Sequence, residues 1–122
     1  MIPVVELGAV VIDCADPVPV AAFYAAAVGG DIARSDADSA WVLFGGTTVI
    51  FRQVAHYRAP TWPSEDVPLQ AHLDFIADDL NEAEARLHEF GATTSEHQPD
   101  NDPGLRVMLD PAGRPFCISA RV

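Results

Sequence analysis

Apolar residues along this chain follow two periods, and the switch from one to the other happens twice in the same order. The run Leu7 to Asp16, LGAVVIDCAD, is apolar and rich in β-branched residues, so it predicts a strand that ends where a helix begins. Asp16 can cap that helix, and Pro17 suits its first turn, where no N–H partner is needed. Val20, Phe23, Tyr24, Ala27 and Val28 then recur at i, i+3, i+4, i+7 and i+8, one apolar helix face, until Gly29-Gly30 stops it.

Ala71 to Asp79, AHLDFIADD, repeats the theme. A second short strand runs into an aspartate, a helix with the apolar stripe Leu80, Ala83, Leu87 and Phe90 follows, and Gly91 ends it. Ala9 precedes Asp16 by seven residues and His72 precedes Asp79 by the same seven, which marks an internal repeat. Three short strand candidates follow each helix. The first set is Asp31–Ser35, Ala40–Phe44 and Thr47–Val54, with Gly45-Gly46 as a hairpin turn. The second is Ala92–His97, Leu105–Leu109 and Pro115–Arg121, with Asp110-Pro111-Ala112-Gly113 as the turn. Between the sets, Ala55–Leu69 is proline-rich and aperiodic and reads as a linker, its Tyr57 and Trp62 expected to lie against the domain rather than in solvent. The expected fold class is α+β, two tandem βαβββ modules in one domain spanning 1–122, with module one at about 5–54, the linker at about 55–69 and module two at about 70–121.

Composition narrows the function classes. Hydrophobic residues at 49% and charged residues at 20% suit a chain of 122 residues that buries its own core. No apolar run approaches the roughly 20 residues of a membrane helix, so no membrane partner is expected. The start, Met1-Ile2-Pro3-Val4-Val5-Glu6, lacks the basic and apolar regions of a secretory signal, and the expected compartment is the cytoplasm. A net charge of −11 argues against nucleic acid and leaves room for a cationic ligand. Cys14 and Cys117 lie far apart in apolar runs and read as buried thiols, with no CxxC pair and no zinc-ribbon spacing. His56 and His97 sit in polar loops and are expected to be solvated, and the turn Pro99–Asp102 lacks calcium-loop spacing. No phosphate-binding glycine loop and no GxSxG elbow are present.

The segments VVIDCADP and FYAAAVGG in the first half, and HLDFIADDLNEAEARLHEFGA and DPAGRPFCIS in the second, resemble the vicinal-oxygen-chelate superfamily, which includes glyoxalases and bleomycin-resistance proteins. The linker YRAPTWP is similar to that of a glyoxalase-like subgroup common in actinobacteria. The resemblance implies that each module's mixed sheet carries its helix on one face and lines a shared cleft with the other. Period-two alternation then sends Val10, Ile12, Cys14, Leu73, Phe75 and Ala77 toward the helices. Ala9, Val11, Asp13, Ile50 and Arg52 are sent toward the cleft, with His72, Asp74, Ile76, Cys117 and Ser119; a slip of one residue would invert any of these assignments.

The resemblance also implies four metal-ligand positions, which fall here on Ala9, Ile50, His72 and Cys117. Ala9 and Ile50 cannot coordinate, and His72 with Cys117 supplies fewer than the three ligands of a typical catalytic zinc. Gln53 could take part only if its strand shifted, which would bury Arg52. No metal and no other cofactor are therefore expected.

Two function classes stay in view. One is a binding module that sequesters a planar or cationic natural product, as bleomycin-resistance relatives do. The other is a glyoxalase-like lyase, isomerase or dioxygenase acting on a small metabolite. The missing metal positions, the acidity, and the carboxylates of Asp13 and Asp74 in mid-strand, costly to bury unless paired, favour binding. Candidate ligand-binding residues are Asp13, Trp41, Arg52, Tyr57, Trp62, His72, Asp74, Cys117 and Ser119, the aromatic faces stacking on a planar ligand. No catalytic residue is assigned, although Asp13, Asp74, His72 and Arg52 have the chemistry for acid–base work. The expected partners are a small molecule and a second copy of the chain.

Overall fold

In the computed structural model, which describes residues 2–99 and 102–121, the strand–helix alternation is realised twice. The chain divides between Tyr57 and Arg58 into two units, each holding one module. Module one runs β1 (Val10–Cys14), α1 (Pro17–Val28), β2 (Ile32–Ser35), β3 (Ser39–Phe44) and β4 (Thr47–Gln53). Module two runs β5 (Asp74–Ala77), α2 (Leu80–Glu89), β6 (Thr93–Thr94), β7 (Leu105–Leu109) and β8 (Pro115–Ala120). The sheet orders are β1-β4-β3-β2 and β5-β8-β7-β6, so the two modules share one topology. In both, the first strand pairs in parallel with the last, and the crossover that parallel pairing demands contains the helix. Residues 58–69, expected as linker, belong to the second unit, where Thr61 and Val67 exchange backbone and hydroxyl hydrogen bonds across a closed turn.

Both helices start from an extended aspartate, at φ −134° for Asp16 and −131° for Asp79. Asp79 accepts a hydrogen bond from the Glu82 N–H at 3.0 Å, but the Asp16 side chain makes no capping bond. The reason is Pro19, which stands at the third helical position of α1 and has no proton to donate. At the other end Gly29 takes the left-handed conformation, φ 66°, and its N–H closes on the Ala25 carbonyl. Gly30 is needed for space, because a Cβ there would lie 2.3 Å from the Leu43 carbonyl oxygen.

The core of module one lies between α1 and the sheet. Val20, Ala21, Phe23 and Tyr24 are buried against Cys14, Ala40, Val42, Val49 and Phe51, and Tyr24 stacks flat on Phe51 with centroids 5.2 Å apart. The apolar stripe expected to continue through Ala27 and Val28 ends one turn earlier. Val28 is 36% exposed, and the neighbouring β2 is exposed along its whole length. In module two, Leu87, Met108, Phe116 and Ile118 form the centre, with Phe75 edge-on to Phe116 at 5.9 Å.

Three strands fall short of their expected ranges by more than one residue. β1 begins at Val10 and β5 at Asp74, where their ladders with β4 and β8 begin. β6 stops at Thr94 instead of His97 because the Gln98 side chain replaces it: its amide donates to the Val107 carbonyl at 2.8 Å and accepts from the Val107 N–H at 2.9 Å. Of the expected turn Pro99–Asp102, Asp100 and Asn101 lie outside the described residues; the Asp102 carboxylate accepts from the Gly104 N–H at 3.0 Å. No helix among the described residues is long and apolar enough to cross a membrane.

Candidate functional site

In module one the parallel ladder pairs Val11 with Ile50 and Asp13 with Arg52, and the antiparallel ladder adds Trp41 beside Ile50. Paired residues share a face, so these five stand opposite the face that meets α1. Arg52 donates to Asp13 from Nη2 at 2.8 Å and from Nε at 3.2 Å, both bonds falling on Oδ1. The two side chains are about half exposed, so the pair adds little to stability and stays accessible. Arg34, which the sequence did not single out, places its guanidinium 5.8 Å from the centre of the Trp41 ring. It also reaches Asp36 at 3.5 Å. The backbone N–H groups of Ser39 and Asp38 hold the Asp36 carboxyl below its usual pKa and tie the hairpin that positions both.

In module two the register pairs Asp74 with Cys117 and Ile76 with Ser119, opposite the side on which Phe116 and Ile118 meet the core. His72 lies just before β5, its Nε2 3.3 Å from Asp74 Oδ1. One donor atom from each of His72, Asp74 and Cys117 lies within 4.8 Å of the other two. Cys117 is buried, while His72 and Asp74 are exposed. Burial pushes the Cys117 thiol up to about 11, helped by the charge of Asp74 and by the hydrogen bond its carboxylate accepts from the thiol. At neutral pH it is therefore a thiol and a poor nucleophile.

The candidate residues thus separate into Asp13, Trp41 and Arg52 on module one, and His72, Asp74, Cys117 and Ser119 on module two. The cost of two unpaired buried carboxylates does not arise, because Asp13 has Arg52 and Asp74 has His72 and Cys117, and both carboxylates reach solvent. Tyr57 is half-buried at the end of the first unit. Trp62 is half-buried in the second, edge-on to His97 with centroids 5.0 Å apart, so His97 is not merely solvated.

One polar cluster escaped the sequence reading altogether. Glu84 on α2 takes Arg106 Nη1 at 2.7 Å and the Thr94 hydroxyl, and His88 Nε2 lies 2.8 Å from Thr94 Oγ1. The Thr94 hydroxyl, and after it Arg106, hold the Glu84 carboxyl below its ordinary value. This cluster ties α2 to β6 and β7. Its signals were an acid at helical spacing from Leu80 and Leu87 and an arginine inside the apolar strand LRVML.

The four metal positions implied by the family resemblance are not met as a set, since Ala9 and Ile50 carry no donor atom. Residues 9–119 match the model of a family described as a glyoxalase-like domain. No curated protein matches the sequence. Among solved structures, a glyoxalase family protein from Enterococcus faecalis is 23% identical, covering 93% of this chain and 96% of its own at a TM-score of 0.68. A possible glyoxalase from Bacillus cereus is 14% identical, with coverages of 93% and 97% and a TM-score of 0.70. The fosfomycin resistance protein FosX from Listeria monocytogenes is 15% identical, with coverages of 100% and 94% and a TM-score of 0.71. At such identities the likeness is one of fold.

Proposed function

Since this chain belongs to the glyoxalase-like domain family of the vicinal-oxygen-chelate superfamily, we propose that it sequesters a planar, cationic natural product. The observation that carries this reading is the module-one sheet face that α1 leaves bare. It offers the flat indole of Trp41, the hydrocarbon of Val11 and Ile50, and a carboxylate, Asp13, whose bonds to Arg52 use only Oδ1. Apolar walls with a few polar groups describe a small-molecule site, and the second oxygen of Asp13 can accept from a ligand amine while a ring lies on Trp41. The resistance role belongs to the Listeria protein; sequestration of a toxic small molecule is the corresponding proposal for this chain. Lyase, isomerase or dioxygenase chemistry of the glyoxalase kind is less well served, because the four-position donor set is incomplete.

Calorimetric titration with a panel of planar, cationic natural products is expected to show saturable binding. Asp13→Asn should weaken it at least about tenfold, the loss of one charge-assisted hydrogen bond, and Trp41→Leu should weaken it as well. A panel without a binder, or equal affinities in the wild type and both variants, removes the reading.

A second copy of the chain is the proposed partner. Ile2, Val4, Val5 and Leu7 are 72–96% exposed, and they lead into β1, an edge strand of its sheet. An apolar run beside an open edge is a surface that another chain covers. Light scattering is expected to give twice the chain mass, falling to one in the Val4→Asp/Val5→Asp double variant. A wild type that stays monomeric at high concentration overturns this.

A further inference from the structure

We propose that the ligand of the module-one face carries a carboxylate as well as a cation, and that Arg34 selects it; this rests on the reading of that face as a binding surface. The bulge in β2 is what places Arg34 there. β2 and β3 run antiparallel with Ile32 opposite Val42, so an unbroken ladder would set Arg34 opposite Ala40. Val42 and Ala40 are both fully buried on the side that meets α1. The register shifts between Ile32 and Arg34, and Arg34 pairs with Trp41 instead. One extra residue thus turns its side chain from the helix side to the open face. A row of Arg34, Trp41, Ile50 and Val11 then crosses all four strands.

The Arg34 guanidinium is tethered at one end and open at the other. Its Nε lies 3.5 Å from Asp36 Oδ2, while Asp36 Oδ1 accepts from the backbone N–H groups of Asp38 and Ser39, so the tether is itself fixed. Nη1 and Nη2 have no hydrogen-bond partner among the described residues, and the side chain is 63% exposed. Two parallel N–H donors beside the Trp41 ring match a carboxylate in the plane of a ring stacked on that indole. Arg52 suits it less, because its Nε and Nη2 both serve Asp13. Arg34 and Arg52 balance Asp13 and Asp36, so this part of the face does not share the net charge of −11 that repels anions from the chain as a whole. Neighbouring strands lie about 4.8 Å apart, so the three steps from β2 to β1 separate Arg34 and Asp13 by about 14 Å at the backbone. Arg34 reaches toward Trp41 and Asp13 toward Arg52. A ligand that meets both is a flat ring system with its acid and its base at opposite ends.

The test is calorimetric titration of the full chain with three naphthalenes: one carrying an amidine, one a carboxylate, and one both groups at opposite ends of the ring system. The doubly substituted compound is expected to bind at least about tenfold more tightly than the amidine alone. Arg34→Gln should bring those two affinities within about threefold of each other. Arg34→Lys, which keeps the charge without the fork, should restore only part of the preference. The urea midpoint of each variant is recorded to show that the fold is kept. An amidine that binds as tightly as the doubly substituted compound overturns the role of Arg34 and leaves the cation-binding reading standing. A preference that survives Arg34→Gln overturns it equally. Binding by none of the three also overturns it, and the natural-product panel then decides the parent reading separately.

Discussion

Phe51→Ala is expected to lower the unfolding free energy by about 3–5 kcal/mol. Phe51 is fully buried in β4, between Ile12 of β1 and Ala40 of β3. Its ring stacks on Tyr24, and Tyr24 is itself held by the edge of Phe23 at 4.9 Å and by Phe44 at 6.2 Å. A stack braced on two further sides cannot collapse into the space left by the ring, so the cavity stays open and the cost is near the top of its range. Urea unfolding of the variant and the wild type measures it. A loss below about 1 kcal/mol would show that β4 is out of register with α1, because one residue of slip turns Phe51 to the outer face.

Arg106→Ala should cost about 1–3 kcal/mol, since it leaves the Glu84 carboxylate partly buried without its guanidinium partner. The side chains are roughly a quarter exposed, which keeps the loss below that of breaking a fully buried pair. The double variant Arg106→Met/Glu84→Gln should regain much of that loss, because no charge is then stranded. Acid provides an independent check. The carboxyl of Glu84 sits below its ordinary value of 4.5 in the folded chain, so the unfolded chain takes up its proton first as pH falls. The stabilisation is complete above that ordinary value and is lost as pH drops through the folded pKa. Between neutral pH and pH 3 the urea midpoint of the wild type should therefore fall more steeply than that of Glu84→Gln. Parallel curves would mean that the Thr94 and Arg106 contacts contribute nothing in solution.

Much of the fold was legible because it rests on period. The stripe through Val20, Phe23 and Tyr24, the turn at Gly29 and the strand Leu105–Leu109 are each written in a short window of sequence. The failure of Asp16 as a side-chain cap was also legible, since Pro19 stands in the same window and cannot donate. What stayed hidden depends on pairs far apart in the chain. Gln98 standing in for a strand cannot be foreseen without knowing that Val107 lies beside it. The place of Asp74 was hidden in the same way. Asp74 read as an odd carboxylate in an apolar strand until the β5–β8 register set it against Cys117. Asp13 shows the same limit from the other side: its partner Arg52 is 39 residues away, and only the β1–β4 ladder decides that the two meet.

The parallel closure of each module also sets an order of events during synthesis. Every strand partner of module one has left the ribosome by Gln53, so β1 finds β4 while the second module is still being made. Among the described residues the edge strand β5 has a single neighbour, β8, the last strand of its module to emerge. Throughout the making of module two, β5 is a strand without a mate, with Ile76 bare on its outer face. Crowded nascent chains stopped at that stage expose the kind of edge that recruits other chains. The residues that bring His72, Asp74 and Cys117 together are thus the same ones that cap this hazard, and the trio exists only once it has passed.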